Sequence, residues 1–239
     1  MSKFLYPVTN EYVKNGGGLF ETAQRCVKVG EDLYPVTNKY ITDEDFAFVI
    51  EGKKNFGLGY LPGEDLNFVI DWGDGTQSVV NSEDEAQREH VYATDGEWTI
   101  TIKNYVSGWI DLWPFSHWVT RVLTPFPRSD TRKSFSMCSY GAQNLTSIPS
   151  GLFSKNKNVI DFSWCFALCN HLKELPDGLF DNHQKVEDFS YCFEGDHSLT
   201  GKAPALWNRT PTPAGEMCFF GCYSLSNYAA IPPAWKNIL

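Results

Sequence analysis

Residues 46–104 alternate between apolar and polar positions in the manner of half-buried antiparallel strands. Four segments carry this pattern: Phe46–Ile50, Phe68–Ile70, Gln77–Val80 and Trp98–Ile102. Between the second and third lies Asp71-Trp72-Gly73-Asp74-Gly75-Thr76, which has the glycines and aspartates of a tight turn. The pattern predicts an antiparallel β domain over residues 46–107.

A 27-residue repeat dominates the second half of the chain. Phe135-Ser136-Met137-Cys138 recurs as Phe162-Ser163-Trp164-Cys165 and as Phe189-Ser190-Tyr191-Cys192. A looser fourth copy contains Cys218 and follows an insertion around residues 207–215. Such a period is typical of stacked turns that bury their apolar sides against one another. The apolar set predicted to form the core of one turn is Val159, Phe162, Trp164, Phe166, Leu172, Leu175, Leu179 and Phe180.

The recurrent cysteines fit the same core. Free cysteine is among the most buried residue types, so we expect an internal column of small side chains. Its members are Cys138, Cys165, Cys192 and Cys218. Zinc is disfavoured because the Cys165-x-x-x-Cys169 spacing recurs only once and no histidine pattern accompanies it. Stacked positions about 5 Å apart leave disulfides between turns open, although the odd total of seven cysteines argues against a disulfide framework.

One copy of the repeat resembles a known motif. Val159-x-x-Phe162-Ser163-x-Cys165-Phe166-x-x-Cys169-x-x-Leu172-x-x-Leu175-Pro176 is similar to the BspA-type leucine-rich repeat of bacterial and phage surface proteins. Ala142 and Asp196 depart from the motif at its second cysteine, and Lys202 stands where Leu175 stood. The resemblance implies a mainly β fold with short helical or irregular return segments. Residues 108–239 would form a leucine-rich-repeat solenoid of about four turns with an aromatic N-terminal cap.

The turn in the first domain also resembles a known motif. Trp72-Gly73-Asp74-Gly75, followed by His90-x-Tyr92 and Gly96-x-Trp98, is similar to the PKD-type immunoglobulin-like β-sandwich. Calcium binding or acid–base chemistry at the aspartates is one interpretation. The favoured interpretation is structural, because aspartates in turns accept hydrogen bonds from backbone amides. The predicted structural turn residues are Asp71, Gly73, Asp74 and Gly75, and no catalytic residue, metal or cofactor is assigned.

A shorter repeat occupies the N-terminus. Leu5-Tyr6-Pro7-Val8-Thr9-Asn10 recurs 28 residues later as Leu33-Tyr34-Pro35-Val36-Thr37-Asn38, and Gly16-Gly17-Gly18 between the copies lowers the chance of regular structure. We expect residues 1–45 to be an extended arm that becomes ordered against a partner. The phrase resembles N-terminal attachment segments of tail, baseplate and head-fibre proteins of tailed bacteriophages. The candidate attachment residues are Tyr6, Pro7, Val8, Tyr34, Pro35 and Val36.

Aromatic residues make up 15% of the chain and crowd between the two domains. The cluster comprises Tyr105, Trp109, Trp113, Phe115 and Trp118. It predicts either a platform for sugars or a buried seam between domains, and the seam is favoured because each large ring can bury ~150–250 Å². The candidate ligand-contact aromatics are Trp109, Trp113 and Trp118, together with Trp207 and Trp235 outside the strict repeat.

Charge and composition exclude several classes of function. A net charge of −9 opposes binding to the phosphate backbone of nucleic acids. Apolar runs such as Phe46–Ile50 fall far short of the ~20 residues that cross a bilayer. Met1–Pro7 has no signal-peptide pattern, which favours synthesis in a cytoplasm. No nucleophile triad, phosphate loop or glycosidase carboxylate pair is evident in the sequence.

The combined expectation is a non-enzymatic bacteriophage virion structural protein: a head fibre, tail fibre or baseplate decoration at the virion surface, assembled in the host cytoplasm. Its expected partners are other virion proteins, through the arm, and a host surface glycan or protein. A homo-oligomer, as a trimer, is also expected. One alternative is a bacterial cell-surface adhesin of the BspA type. Another is a glycan-cleaving enzyme that uses Asp71, Asp74 or Asp188.

Overall fold

The computed structural model describes residues 5–7, 11–15, 18–22, 25–29, 32–36, 45–52, 55–58, 68–82, 84–103, 112 and 117–237, the first five stretches as backbone only. The chain divides into two compact units, Met1–Thr42 and Asp43–Leu239. The described residues are mainly β-structure in open sheets, which confirms the predicted class. The helices among them are 3₁₀ segments of three or four residues: Glu85–Arg88, Leu206–Asn208, Tyr228–Ala230 and Pro233–Trp235.

The described residues of the first unit, within the segment expected to be an attachment arm, form five short strands. They are β1 (Leu5–Pro7), β2 (Glu11–Asn15), β3 (Gly18–Thr22), β4 (Arg25–Val29) and β5 (Asp32–Val36). β2 pairs with β3 up to Asn15 and Gly18, which only two residues separate, the commonest hairpin connection length.

The two copies of the N-terminal repeat lie on either side of one strand. Leu5 in β1 and Tyr34 in β5 both pair with Val27 of β4. Of the predicted attachment residues, Tyr6, Pro7, Tyr34, Pro35 and Val36 therefore lie in edge strands of a three-stranded sheet. Val8 falls outside the described residues.

The second unit begins with a five-stranded antiparallel sheet in the order β12-β6-β11-β8-β9, and β7 pairs separately with β10. These strands are β6 (Phe46–Glu51), β7 (Asn55–Gly57), β8 (Phe68–Asp71), β9 (Gln77–Val80), β10 (Glu89–Val91), β11 (Glu97–Lys103) and β12 (Val119–Val122). The four strands expected from the alternating pattern are β6, β8, β9 and β11.

β12 joins this sheet to the repeats. On one side it is antiparallel to β6, with Val122 opposite Phe48. On its other side Arg121 forms a parallel bridge to Ser147, and the Val122 N–H donates to the Ser147 carbonyl oxygen at 3.1 Å. The same strand is therefore the edge of the sheet and the start of the stacked turns.

Successive copies of the repeat lie on one another in parallel. Single bridges link Ser134 to Asp161, Asp161 to Asp188 and Asp188 to Ala214. Each bridging residue of the first three copies is followed by a phenylalanine. The rings of Phe135, Phe162 and Phe189 stack nearly parallel, with successive centroids 5.8 and 5.7 Å apart. The four recurrent cysteines, Cys138, Cys165, Cys192 and Cys218, are fully buried and none of them forms a disulfide. Trp164 and Leu175, which were expected in the core, are only half-buried.

The core runs without a break from the sheet into the turns. Phe126 stacks on Phe46 of β6 with centroids 5.0 Å apart, and it also contacts Phe135 of the first turn at 5.1 Å. All three rings are buried. The sheet and the repeats consequently share one hydrophobic core.

A column of polar residues crosses the buried return segments. Asn156 Oδ1 accepts the Ser129 N–H at 3.0 Å, and His183 Nε2 donates to the Asn156 carbonyl oxygen at 3.0 Å. In the next turn Arg209 Nη1 donates to the His183 carbonyl oxygen at 2.7 Å. Different side chains at one repeat position thus bind the backbone of the preceding turn, which fixes the register between turns.

Candidate functional site

The residue two positions after the repeated phenylalanine has a left-handed backbone conformation in every copy. These residues are Met137 (φ 57°), Trp164 (φ 58°), Tyr191 (φ 59°) and, in the fourth copy, Met217 (φ 51°), and we call them the left-handed column. An L-residue in this conformation costs roughly 1–2 kcal/mol, a cost that glycine avoids. The chain nevertheless places a large side chain there each time.

The first three members of the left-handed column form an apolar strip at the surface, whereas Met217 is buried. Trp164 and Tyr191 stack with ring centroids 4.2 Å apart and planes 5° from parallel, and Tyr140 packs edge-on to Trp164 at 6.0 Å. Met137 is 40% exposed, whereas Trp164 and Tyr191 are half-buried. Because the two rings cover each other, the strip offers chiefly ring edges and a thioether to a partner.

Carboxylates border this strip. The pKa of Tyr191 is raised by desolvation first, then by the charge of Glu216 and a hydrogen bond with it, and by the charge of Glu194. Glu216 is exposed and Glu194 half-buried. We call Met137, Trp164 and Tyr191, together with Glu194 and Glu216, the repeat face. It combines an apolar centre with acidic margins, an arrangement suited to contact with a hydroxyl-rich or cationic surface.

Two aspartates near the repeat face have structural partners. Asp161 Oδ1 accepts the Ser163 N–H at 2.8 Å, and its Oδ2 accepts the Ser134 hydroxyl at 2.7 Å. Asp188 Oδ1 accepts the Ser190 N–H at 2.7 Å. Asp188, which was a candidate for catalysis, thus repeats the backbone cap that Asp161 makes one turn earlier.

Both aspartates at the turn between β8 and β9 accept hydrogen bonds from the turn itself. Asp71 Oδ1 accepts the Gly73 N–H at 3.1 Å, while Asp71 Oδ2 lies 3.0 Å from Lys103 Nζ. Asp74 Oδ1 accepts the N–H and hydroxyl of Thr76 at 2.9 and 2.6 Å. Gly73 has φ 84°, and a Cβ there would lie 2.5 Å from the Thr99 carbonyl oxygen, so close backbone packing requires glycine.

His90 connects this turn to an aromatic cluster. His90 Nε2 donates to Asp74 Oδ2 at 2.8 Å, and the imidazole stacks on Trp72 with centroids 5.1 Å apart. Partial burial acts to raise the pKa of Asp74, but hydrogen bonds from Thr76 and His90 outweigh it and hold the pKa below its ordinary value. Burial, followed by the charges of Asp74 and Asp71, raises the pKa of Tyr92. The carboxylates and the imidazole therefore stabilise the turn.

The aromatic residues predicted to contact a ligand differ in how far the structure describes them and in how buried they are. Trp109 and Trp113 fall outside the described residues, as do Tyr105 and Phe115. Trp118 is half-buried against the core, and Trp207 is half-buried with its ring edge-on to Phe219 at 6.2 Å. Trp235 is only 6% exposed, so it is not available as a surface contact. Its ring packs against Gly215 of the fourth copy.

The aromatic residues of the repeat face were missed as a site in the sequence. Trp164 was assigned to the core because it falls within an apolar run. The available signal was the third letter of the Phe-Ser-x-Cys motif, which is Met, Trp and then Tyr. At this position the side chain is large in every copy, but the residue type changes. Such variation is more typical of a surface strip than of a packed interior.

Comparison of the chain with protein-family models, curated proteins and solved structures finds no match. Among the described residues no helix is long and apolar enough to cross a membrane. The same residues contain no cluster of three or more histidine, cysteine or acidic side chains placed to hold a metal ion.

Proposed function

We propose that the protein is a non-enzymatic bacteriophage virion structural protein, a head fibre, tail fibre or baseplate decoration, that displays an adhesive surface to the host. In this proposal residues 46–107 are a PKD-type β-sandwich and residues 108–239 are a BspA-type leucine-rich-repeat solenoid. The N-terminal 45 residues attach the protein to other virion proteins, and the protein assembles as a trimer at the virion surface.

The observation that carries the adhesive role is the repeat face. Its three large side chains occupy left-handed positions that glycine would fill at lower conformational cost. The stacked turns beneath them supply a rigid support, since each turn is hydrogen-bonded to the next through backbone amides. A rigid row of apolar side chains bordered by carboxylates favours binding to a host glycan or protein over turnover of a substrate.

Binding by the repeat face is tested with fluorescently labelled full-length protein and intact cells of the host bacterium. Trp164→Gly and Tyr191→Gly remove the rings while keeping a residue that accepts positive φ. Each is expected to weaken cell binding at least about tenfold, as for central aromatic contacts at interfaces. Tyr223→Ala removes a ring that is 64% exposed outside the repeat face and is expected to leave binding unchanged. Equal binding by all three variants would exclude the repeat face as the adhesive surface.

The location is tested by antibody labelling in electron microscopy. Label on purified phage particles supports a virion protein, whereas label on the walls of uninfected bacteria supports the BspA-type adhesin. Sugar release from envelope polysaccharide that is lost in Asp188→Asn would instead support the glycan-cleaving enzyme.

A further inference from the structure

Asp196 is a carboxyl group buried inside the third turn. It occupies the repeat position held by Ala142, Cys169 and Cys222 in the other copies. Its exposed fraction is 0%. Oδ1 accepts the Cys169 N–H at 2.7 Å, but Oδ2 has no hydrogen-bond partner among the described residues. One oxygen of this side chain is thus satisfied and the other is not.

The surroundings of Asp196 do not compensate a negative charge. The titratable groups that interact with it are Glu194 and the thiols of Cys169, Cys192 and Cys222. None of these groups is a cation, and Glu194 is itself an acid. A buried carboxylate without a cationic partner is strongly disfavoured, so the group becomes neutral by binding a proton.

The thiols at the same repeat position indicate what a neutral group does there. Cys169 Sγ donates to the Ser139 carbonyl oxygen at 3.3 Å, and Cys222 Sγ donates to the Phe193 carbonyl oxygen at 3.0 Å. Both donate a proton toward the turn that precedes them. The protonated carboxyl of Asp196 is neutral like these thiols, whereas the carboxylate would be the one charged group at this repeat position.

We propose that Asp196 makes the third turn a proton-controlled element: its carboxyl is protonated in the closed stack, and loss of that proton opens the turn to water. The opening breaks backbone bonds to the fourth copy, including Phe193 N–H to Cys218 and Gly195 N–H to Phe220, at 2.9 and 2.8 Å. Tyr191 and Glu194 belong to the same turn, so the order of the repeat face changes with it. This proton-controlled opening does not depend on which ligand the repeat face binds.

The direction of the pH dependence follows from linkage. Desolvation, then the charge of Glu194, raises the pKa of Asp196 well above its ordinary value, against the hydrogen bond from Cys169. Once the turn is open the carboxyl titrates at its ordinary pKa. Between the two values the closed state holds one more proton, so its stability falls as pH rises and is fully present only below the ordinary pKa.

Hydrogen exchange of the full-length protein between about pH 4 and about pH 9, corrected for intrinsic exchange rates, tests this device. In the wild-type protein the opening constant of amides in residues 165–222 is expected to rise up to about tenfold per pH unit above the ordinary carboxyl range. In Asp196→Asn that rise is expected to disappear. Asp196→Cys provides a second variant, because cysteine already fills this position at Cys169 and Cys222.

Asp188→Asn is the matched control, since Asp188 lies in the same turn but is half-buried. It is expected to keep the wild-type pH dependence. A flat wild-type opening constant over the whole range would overturn the proposal. A slope that persists unchanged in both Asp196 variants would overturn it as well.

Discussion

The indole of Trp235 occupies the space directly in front of Gly215. A Cβ atom added to Gly215 would lie 2.2 Å from Cε2 and Cζ2 of that ring. Gly215 stands at the repeat position where the three preceding copies have phenylalanine. The Phe219 N–H also donates to the Trp235 carbonyl oxygen at 2.8 Å. Trp235 thus supplies the ring that the fourth copy lacks.

Gly215→Ala is expected to lower the free energy of unfolding by about 1–3 kcal/mol, because the new methyl group overlaps a buried ring. Denaturant unfolding monitored by circular dichroism measures the change. Gly151→Ala is the control, since the nearest atom to its added Cβ is a serine hydroxyl at 3.3 Å. In a Trp235→Ala background the Gly215→Ala effect should vanish. An undiminished effect there would show that the ring is not its cause.

Leu168 and Gly195 give a second case of packing between neighbouring turns. Leu168 has φ 63° at a position where the other copies have glycine, and a Cβ on Gly195 would lie 2.7 Å from Leu168 Cδ2. Gly195→Ala therefore combines left-handed strain with a steric overlap, whereas Gly141→Ala, with φ 69° and nothing within 4 Å, has the strain alone.

We expect both alanine variants to lower stability by roughly 1–2 kcal/mol through strain, and Gly195→Ala to lose more. The excess should disappear when Gly195→Ala is combined with Leu168→Gly, which removes the overlapping methyl group. Thermal unfolding of the wild type, Gly195→Ala, Leu168→Gly and their double variant measures the coupling between the two residues, and Gly141→Ala is measured beside them. Identical losses in the two single alanine variants would mean that Leu168 moves aside without cost.

The regular parts of the fold could be predicted because their signals are local. A continuous apolar run identifies β6, alternation identifies β11, and the 27-residue period identifies the stacked phenylalanines. β7 was missed because Asn55–Gly57 is three residues long and contains two residues that are rare in strands. The pairing of the N-terminal repeat was missed because it depends on β4, whose sequence does not belong to either copy.

The candidate site was harder to predict because its signals are conformational. The left-handed backbone of Trp164 is imposed by the turn and is not marked by glycine or asparagine. Burial of Trp235 depends on the absence of a ring at Gly215, 20 residues earlier, and only the stacked structure brings the two together. The roles of Asp71 and Asp74 were easier to predict from sequence, because each carboxylate accepts a hydrogen bond from a backbone amide two residues further on, at Gly73 and Thr76.

His183 predicts a loss of stability in mild acid. The pKa of this imidazole is lowered by burial, assisted by the charge of Arg209, although the hydrogen bond to the Asn156 carbonyl group opposes the shift. The unfolded chain therefore binds a proton at higher pH than the folded chain does. The contribution of His183 is complete above the ordinary histidine pKa and is lost as pH falls through the lowered value.

Asp196 contributes the opposite slope in this range to wild type and His183→Gln alike, so the two proteins are compared at each pH from about 8 to about 5. His183→Gln keeps a side chain able to donate to the Asn156 carbonyl but does not titrate, so in the acid part of the range the wild type should lose stability relative to it, by at most ~1.4 kcal/mol per pH unit for one proton. His117→Gln, at an exposed site, should follow the wild-type curve. If His183→Gln retains the full acid slope, another group is responsible.

The shared core around Phe126 predicts that the sheet and the stacked turns unfold together. Its ring is buried between Phe46 of β6 and Phe135 of the first turn, so neither part has a closed core without the other. Hydrogen exchange in increasing denaturant should give the same midpoint for β11 and for residues 160–200. Phe126→Ala should lower the free energy of unfolding by about 3–5 kcal/mol and so lower both midpoints. Met137→Ala, at the surface, should change the midpoints little. Two separate transitions in the wild-type protein would show that the sheet and the turns are independent domains despite the contact.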